Sequence, residues 1–427
     1  MRVSLNHARI AEPKVPGLPD AILARPLLDP GGARVILGEC DSPMGLAQPI
    51  VPARDTLFGP RGACLAAPGG PLLVCDTGHH RLLIWTHPPD RDHTPADFVI
   101  GQPDFSAEGR NAKGSVTAAT LNVPTGVAAT NSVLAVADAW NHRVLIWHGL
   151  PTRSNQPADV VLGQADFSGG LANRGTGTAQ ADTLNWCYGV TISQGRLLVA
   201  DTGNRRVLLW NSIPTQSGAA ADLVLGQKDF TTRDENGGDA PSPSSMRWPH
   251  GMVIGGAHCD PAKDGPRPLG QTSLPQQCDK KSGRLLIADA GNNRIMVWDR
   301  IPERNGAPCD FVLGQPNTAR VEHNMAAYYP TAGALNMPYG LAAFGDMLAV
   351  ADTANSRLIG FDIGSLSMGA RATRLAGQSA FANKGDNRWG CAMRDSVCWP
   401  YSVAASGSTL IVADSGNNRV LLWEAAK

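Results

Sequence analysis

Six aspartates recur along the chain, each with an arginine five residues on: Asp76/Arg81, Asp138/Arg143, Asp201/Arg206, Asp289/Arg294, Asp352/Arg357 and Asp414/Arg419. A carboxylate and a guanidinium at that spacing can meet across a tight turn as a charge-assisted pair. A single active site is not six-fold, so residues present in every copy are assigned to architecture. The same reasoning covers the Trp that closes the segment in five copies, at 85, 147, 210, 298 and 423, which is expected to pack between repeats.

Chemistry is therefore sought where the copies differ. A short segment precedes each Asp: "GPRG" at 59–62, "VPTG" at 123–126, "WCYG" at 186–189, "WPHG" at 248–251, "MPYG" at 337–340 and "WPYS" at 399–402. Its third residue runs Arg61, Thr125, Tyr188, His250, Tyr339, Tyr401, and its first runs Gly59, Val123, Trp186, Trp248, Met337, Trp399. Residues two apart at a strand's start face one side, so Arg61, Trp186, Tyr188, Trp248, His250, Tyr339, Trp399 and Tyr401 are expected to line one mouth. One cation and one imidazole in a lopsided aromatic ring suit a binding site. The plainer alternative is that these rings only plug a channel. His250 has the chemistry of a base or metal ligand, but its column holds no second His and no carboxylate. No catalytic residue, metal or cofactor is assigned.

The remaining reactive side chains give less. His79, His80 and His142 sit in turns, facing solvent or the neighbouring loop, with only weak metal-binding potential in the tandem pair. Cys64 and Cys75 stand at columns otherwise small or aliphatic and read as core. Cys259 and Cys278 bracket an insert, where a disulfide would need oxidising conditions, and Cys391 and Cys398 share a connector. Cys40, Cys187 and Cys309 have no obvious mates, and Cys187 lies beside the mouth. No CxxC, GxSxG or HExxH occurs.

These columns need elements to carry them. The six Asp residues are 62, 63, 88, 63 and 62 apart, so one period carries an insert of about 25 residues. A third motif keeps the same rhythm: "VILGE" at 35–39, "FVIGQ" at 98–102, "VVLGQ" at 160–164, "LVLGQ" at 223–227, "FVLGQ" at 311–315 and "RLAGQ" at 374–378. Each unit reads as four short aliphatic strands, a to d, typified by "GVAA" at 126–129, "LLVAD" at 197–201, "RVLLW" at 206–210 and "LVLG" at 223–226. Gly and Asn in the b–c link offer positive φ for a tight turn. Six such antiparallel sheets predict an all-β, six-bladed β-propeller. The chain opens with a lone d strand at 35–38 and closes with a, b and c, so the N-terminal strand is expected to complete the last blade. The expected organisation is an N-terminal extension (1–34) and one propeller (35–427), with the blade 4 insert at about 255–282.

Bulk composition narrows the function. Formal net charge is zero and charged residues are 17% of 427, which argues against a phosphate-backbone binder. No apolar run is long enough for a membrane span. The N-terminus lacks an apolar leader and nine cysteines make an odd count, so a cytoplasmic location is the default expectation.

The Asp–x–x–Asn–His–Arg core, clearest at Asp138, Asn141, His142 and Arg143, resembles the NHL repeat, as does the Pro–x–Gly segment some 12 residues earlier. The resemblance covers 35–427 and is of the long-repeat bacterial type: these repeats take 62–63 residues where propeller blades usually take about 40–50. It implies a six-bladed propeller. NHL propellers serve as protein-binding platforms, as RNA readers in some ubiquitin ligases and as amidating lyases, and related gluconolactonase-like propellers hold a channel metal. Long-repeat bacterial members are encoded beside nickel–iron hydrogenase genes, which implies an accessory role to such a metalloenzyme. The expectation is a non-catalytic protein-binding scaffold or assembly factor with a protein partner and no nucleic acid. The alternative is a lyase or hydrolase with its site at the mouth.

Overall fold

The structure, a computed structural model, describes residues 24–38, 50–257 and 283–427. They form six antiparallel four-stranded sheets, one of them extended by a fifth strand. These are the six blades of a propeller. Blade 2 shows the plan, with strand a at Pro124–Thr130, b at Val133–Asp138, c at Arg143–Trp147 and d at Val160–Leu162. Each strand pairs with the next in the chain.

Strands b and c are apolar on both faces because each blade is covered on both sides. Ala135, Ile146 and Leu162 of blade 2 pack with Val199, Leu208 and Val224 of blade 3 in one buried cluster. A comparable cluster fills the gap between every pair of neighbouring blades. A sheet buried on both faces has no use for polar alternation.

The register sets which parts meet at one end of the ring. Pro124 lies opposite Asp138, Asp138 opposite Arg143, and Val144 opposite Leu162. The start of a, the b–c turn and the end of d therefore share one end. The connectors leave and re-enter the blades at that end, the connector face, while their described middles reach the c–d loops at the outer edge: the Ala158 N–H donates to the Ala118 carbonyl at 2.9 Å, and Arg394 pairs with Asp92 at 2.7 Å.

The b–c turn differs from the sequence expectation in one detail. It is a short 3-10 turn, and positive φ falls on the residue just before Arg: His80, His142, Arg205, Asn293, Ser356 and Asn418. The Gly of the turn is required for closeness instead. A Cβ on Gly203 would stand 2.6 Å from the Asn185 carbonyl oxygen.

Closure follows the expected scheme. Val35–Gly38 pairs antiparallel with Arg419–Glu424, aligning Val35 with Leu422 and Leu37 with Val420. Val35 and Leu37 also pack with Leu72, Val74 and Trp85 of blade 1. The segment before the clasp has structure of its own. Arg25–Pro26 lies parallel to Arg374–Ala376 as a fifth strand on blade 5. The Trp423 indole N–H donates to the Asp29 carbonyl at 2.8 Å. In blades 1 to 4 the closing Trp donates instead to a carbonyl nine residues later in its own c–d loop.

In blade 4 the chain leaves the described residues at 257 and returns at 283. The expected insert and Cys259 and Cys278 lie outside them, as does Cys40. The six described cysteines are free thiols. Among the described residues no helix is long and apolar enough to cross a membrane.

Candidate functional site

Each repeated Asp is a hub. The Asp201 carboxylate takes the Arg206 Nε–H on Oδ2 at 2.7 Å and the Asn204 amide on the same oxygen at 2.8 Å. Its Oδ1 accepts the Asn185 backbone N–H at 2.7 Å. Both charged residues are fully buried. Arg206 then spends its second terminal nitrogen on the carbonyls of Gln180 and Thr183. Asn204 exchanges amide hydrogen bonds with Asn173 on the connector.

The six Asp–Arg pairs have Nε–Oδ2 distances of 2.7–3.0 Å and side chains at most 1% exposed. Each pair spans the b–c turn, and each arginine also reaches beyond it. Arg81 is fully buried and donates its Nε–H to Asp76 at 2.7 Å. Its terminal nitrogens go on to the carbonyls of Phe105, Ala53 and Thr56, at 2.6, 2.9 and 3.0 Å. Arg294 is buried to the same degree and makes the longest of the six pairs, 3.0 Å to Asp289. It reaches the carbonyls of Thr318, Ser242 and Ser245. Arg143 holds those of Thr117 and Thr120, and Arg357, paired with Asp352, those of Thr331 and Ala334. Arg419, paired with Asp414, holds Met393 and Ser396. A buried guanidinium has more donors than one carboxylate can satisfy, so the rest must end on backbone carbonyls. The connectors have nearly equal lengths because each must return to its own arginine. Burial pushes the Asp138, Asp201 and Asp414 carboxyls up, against the pull of their arginines.

Blade 1 carries the exception. His79 replaces the Asn, giving Nδ1 to Asp76 at 2.8 Å and Nε2 to the Ile50 carbonyl at 2.8 Å. Both partners only accept, so both ring nitrogens donate and the imidazole is cationic. Burial opposes that charge, but Asp76 and Ile50 outweigh it and hold the pKa above its ordinary value.

The motif also ties each blade to the next. His142 Nδ1 accepts the Trp186 N–H at 3.0 Å, and His80 Nδ1 accepts the Val123 N–H at 3.0 Å. Asn293 does the same for Met337, and Asn418 for Gly59 across the closing seam. Thr77, Thr202, Thr353 and Ser415 donate to the carbonyls of Pro124, Pro249, Pro400 and Pro60. His80 and His142 therefore face the neighbouring lead-in segment. Burial holds His142 near 4, the neutral form its acceptor role requires.

The variable column forms one contiguous cluster. The Tyr188 and His250 rings stack at 5.3 Å, His250 and Tyr339 at 4.3 Å, and Tyr339 and Tyr401 meet at 4.7 Å. The Arg61 guanidinium lies 5.0 Å over Tyr401. Thr125 extends the column to blade 2 by donating to the Tyr188 carbonyl at 3.0 Å. Glycine follows this column in five blades because the inner strands nearly touch there. A Cβ on Gly189 would stand 2.1 Å from the His250 carbonyl oxygen. His250 is buried, and its Nδ1–H donates to the Trp248 carbonyl at 3.0 Å. Burial, reinforced by Arg61, pushes its pKa down to about 4. Burial likewise pushes the Tyr339 phenol up to about 12 and Tyr401 well above its ordinary value. At neutral pH the charge of this cluster is that of Arg61.

The tryptophans do not share the side of the tyrosines. A β-bulge interrupts the register at the lead-in, between Cys187 and Gly189 in blade 3 and between Pro400 and Ser402 in blade 6, so the two-residue rule fails there. Trp186 stacks on His142 of the preceding blade, while Tyr188 stacks on His250 of the following one. Trp186, Trp248 and Trp399 are 49%, 39% and 41% exposed. Val123, Trp186, Met337 and Trp399 also have φ of +47 to +55°, matching Gly59 at +53°. Bulky side chains occupy left-handed backbone that glycine fits at no steric cost.

Sequence reasoning missed the rest of this face. Eleven large apolar side chains are exposed among the described residues. Val51, Phe58, Leu171, Tyr328, Trp389 and Met393 lie on connectors, Trp186, Trp248 and Trp399 on lead-ins, and Trp140 on the blade 2 turn. Met368 alone lies at the opposite end, in a c–d loop. Cations stand over several of these rings: Arg110 over Trp140, Arg247 over Trp248 and Lys384 over Tyr328. The signal was present as large apolar residues in otherwise polar connectors. Among the described residues no group of three or more His, Cys, Asp and Glu side chains could hold a metal ion. A pocket of about 180 Å³ lies elsewhere, between residues 24–30 and the outer edge of blades 5 and 6.

No protein-family model matches the chain. A curated human protein, NHL repeat-containing protein 2, is 24% identical over 347 residues, covering 68% of this chain and 45% of that protein. The chain thus spans less than half the length of the relative it matches. Among solved structures, Kuenenia stuttgartiensis hydrazine synthase aligns over 91% of this chain and 99% of that one, at 12% identity and a TM-score of 0.44. The WD40 β-propeller domain of Doa1 aligns over 93% and 97%, at 9% identity and 0.43. A Bacteroides thetaiotaomicron structural genomics protein of unknown function aligns over 88% and 71%, at 12% identity and 0.45.

Proposed function

We propose that this propeller, of NHL-repeat type, is a non-catalytic protein-binding scaffold that docks its partner on the connector face. One observation carries the reading: ten of the eleven exposed large apolar side chains among the described residues lie on connectors, lead-ins or a b–c turn, the segments that meet at that face. Aromatic clusters with interleaved arginine are the composition of interface hot spots, and contiguous exposed apolar surface marks interaction sites. The left-handed backbone at Trp186, Met337 and Trp399 points the same way. Bulky residues kept where glycine is cheaper suggest a use for the side chain. In this reading the Asp–Arg hubs only build the platform. An accessory role beside a metalloenzyme such as a hydrogenase is one form this scaffold could take.

The test is affinity capture from the native cell with the full chain, repeated with folded Trp248→Ala and Trp399→Ala variants and with Met368→Ala as a control on the opposite end. The reading expects a partner held by the wild type and by Met368→Ala and weakened in at least one Trp variant. A partner lost only with Met368→Ala would overturn it. Turnover of a small molecule that disappears in His250→Ala would select the enzyme alternative instead.

A further inference from the structure

We infer that the centre of the connector face receives an acidic side chain from an extended segment of the partner protein, with Arg61 as its counter-charge. The inference rests on the reading that this face docks a protein.

Arg61 is half-buried, and its guanidinium lies over the Tyr401 ring. Fifteen ion pairs occur among the described residues, and Arg61 is in none of them. The groups that feel its charge at the mouth are His250, Tyr339 and Tyr401. All three are neutral at physiological pH: burial keeps the imidazole unprotonated and the phenols protonated. A guanidinium partly withdrawn from water and left among neutral rings is an incomplete ion pair. A carboxylate is the group that matches its planar fork.

The surroundings favour a peptide over a free anion. The lead-in tryptophans Trp186, Trp248 and Trp399, on the blades' other side from the tyrosines, offer exposed apolar contact beyond the span of one small carboxylate. The outer aromatics carry cations of their own in Arg110 and Lys384, and neither of these is ion-paired to a described carboxylate. An acidic residue flanked by apolar ones meets both features.

The experiment selects binders from a phage-displayed random dodecapeptide library on the full-length protein. The selected peptides are then measured by calorimetry against wild type, Arg61→Gln, Arg61→Lys and Trp399→Gly. Enriched sequences should carry Asp or Glu between apolar residues. Arg61→Gln should weaken them at least tenfold, and Arg61→Lys less. Replacing the peptide's acid by its amide should cost as much as Arg61→Gln and add nothing on top of it, as a double-mutant cycle requires for a direct pair. Peptides without an acid, or with equal affinity for Arg61→Gln, would overturn the inference. If those peptides still lost affinity to Trp399→Gly, the docking face itself would stand. Failure to enrich any peptide, or Arg61-dependent binding of free succinate or inorganic phosphate alone, would also overturn it, the latter in favour of a small-anion site.

Discussion

The Asp hubs and the channel mouth lie at the same end of the propeller and are built on opposite principles. At the hubs the residues scarcely change from blade to blade, every charge is paired and buried, and each arginine ends on backbone carbonyls. Only His79 departs from the pattern. At the mouth the column changes from Arg through Thr to Tyr and His, the neighbouring indoles are exposed, and Arg61 is unpaired among the described residues. Repetition marks what all six blades need to stand. Departure from it marks what a single ligand would use.

The largest effect should come from breaking the ring. Deleting residues 1–38 removes the outer strand of the last blade and the Val35 and Leu37 side chains from the core shared with blade 1. The exposed sheet edge invites aggregation. The truncated protein is expected in the insoluble fraction or as oligomers on gel filtration. A monomer with the full-length melting temperature would show that closure lies elsewhere.

A hub comes next. Asp201→Ala leaves Arg206 fully buried without its counter-charge, and breaking a buried pair costs about 3–5 kcal/mol. Denaturant unfolding should show that loss, while the protein that remains folded keeps its partner affinity. Unchanged stability with lost binding would move the hub into the site.

The mouth should betray itself by pH. Its histidine has a folded pKa near 4, against about 6.5 in the unfolded chain. A depressed pKa means the unfolded state takes up the proton first. The stability that His250 contributes is therefore whole above pH 6.5 and is lost as pH falls toward 4. The linked change is about 3 kcal/mol. His250→Gln should flatten stability across that window relative to wild type. His79, with its raised pKa, works in the other direction: its share is present below 6.5 and lost as pH rises through its folded value. Parallel pH profiles for wild type and His250→Gln would contradict the burial of the ring's neutral form.

Much of this contrast was legible in the sequence. The blade count, the clasp at 35–38, the Asp–Arg pairs and the odd column all follow from aligning six copies. What stayed hidden needed the third dimension. The spacing of Arg81 and Arg294 from their aspartates predicts a pair. It does not show that each arginine is sealed from water and anchors a connector through carbonyls that any sequence would supply. The two-residue rule placed Trp186 and Tyr188 on one side, but a bulge between them sends one ring to the preceding blade and the other to the next. Residues 24–34 read as an extension, although Arg25 and Asp29 hold blades 5 and 6 through backbone contacts that no side-chain pattern reveals. The aromatics at Trp140, Tyr328 and Trp389 fall on a b–c turn and two separate connectors, and only the closed ring brings these segments together.

The smallest effect on stability belongs to the exposed tryptophans, and there the two regions separate most cleanly. Trp399 sits at φ +49° and is 41% exposed. Replacing it by glycine relieves the left-handed backbone, which offsets the added freedom of the unfolded chain. Stability should change by no more than about 1 kcal/mol. Affinity for the captured partner should fall by about 2 kcal/mol, roughly 30-fold in Kd. Calorimetric titration of the partner into folded Trp399→Gly is the most direct measurement of whether this face binds. Tight, undiminished binding alongside a lowered melting temperature would contradict the account, because Trp399 would then belong to the platform and not to the site.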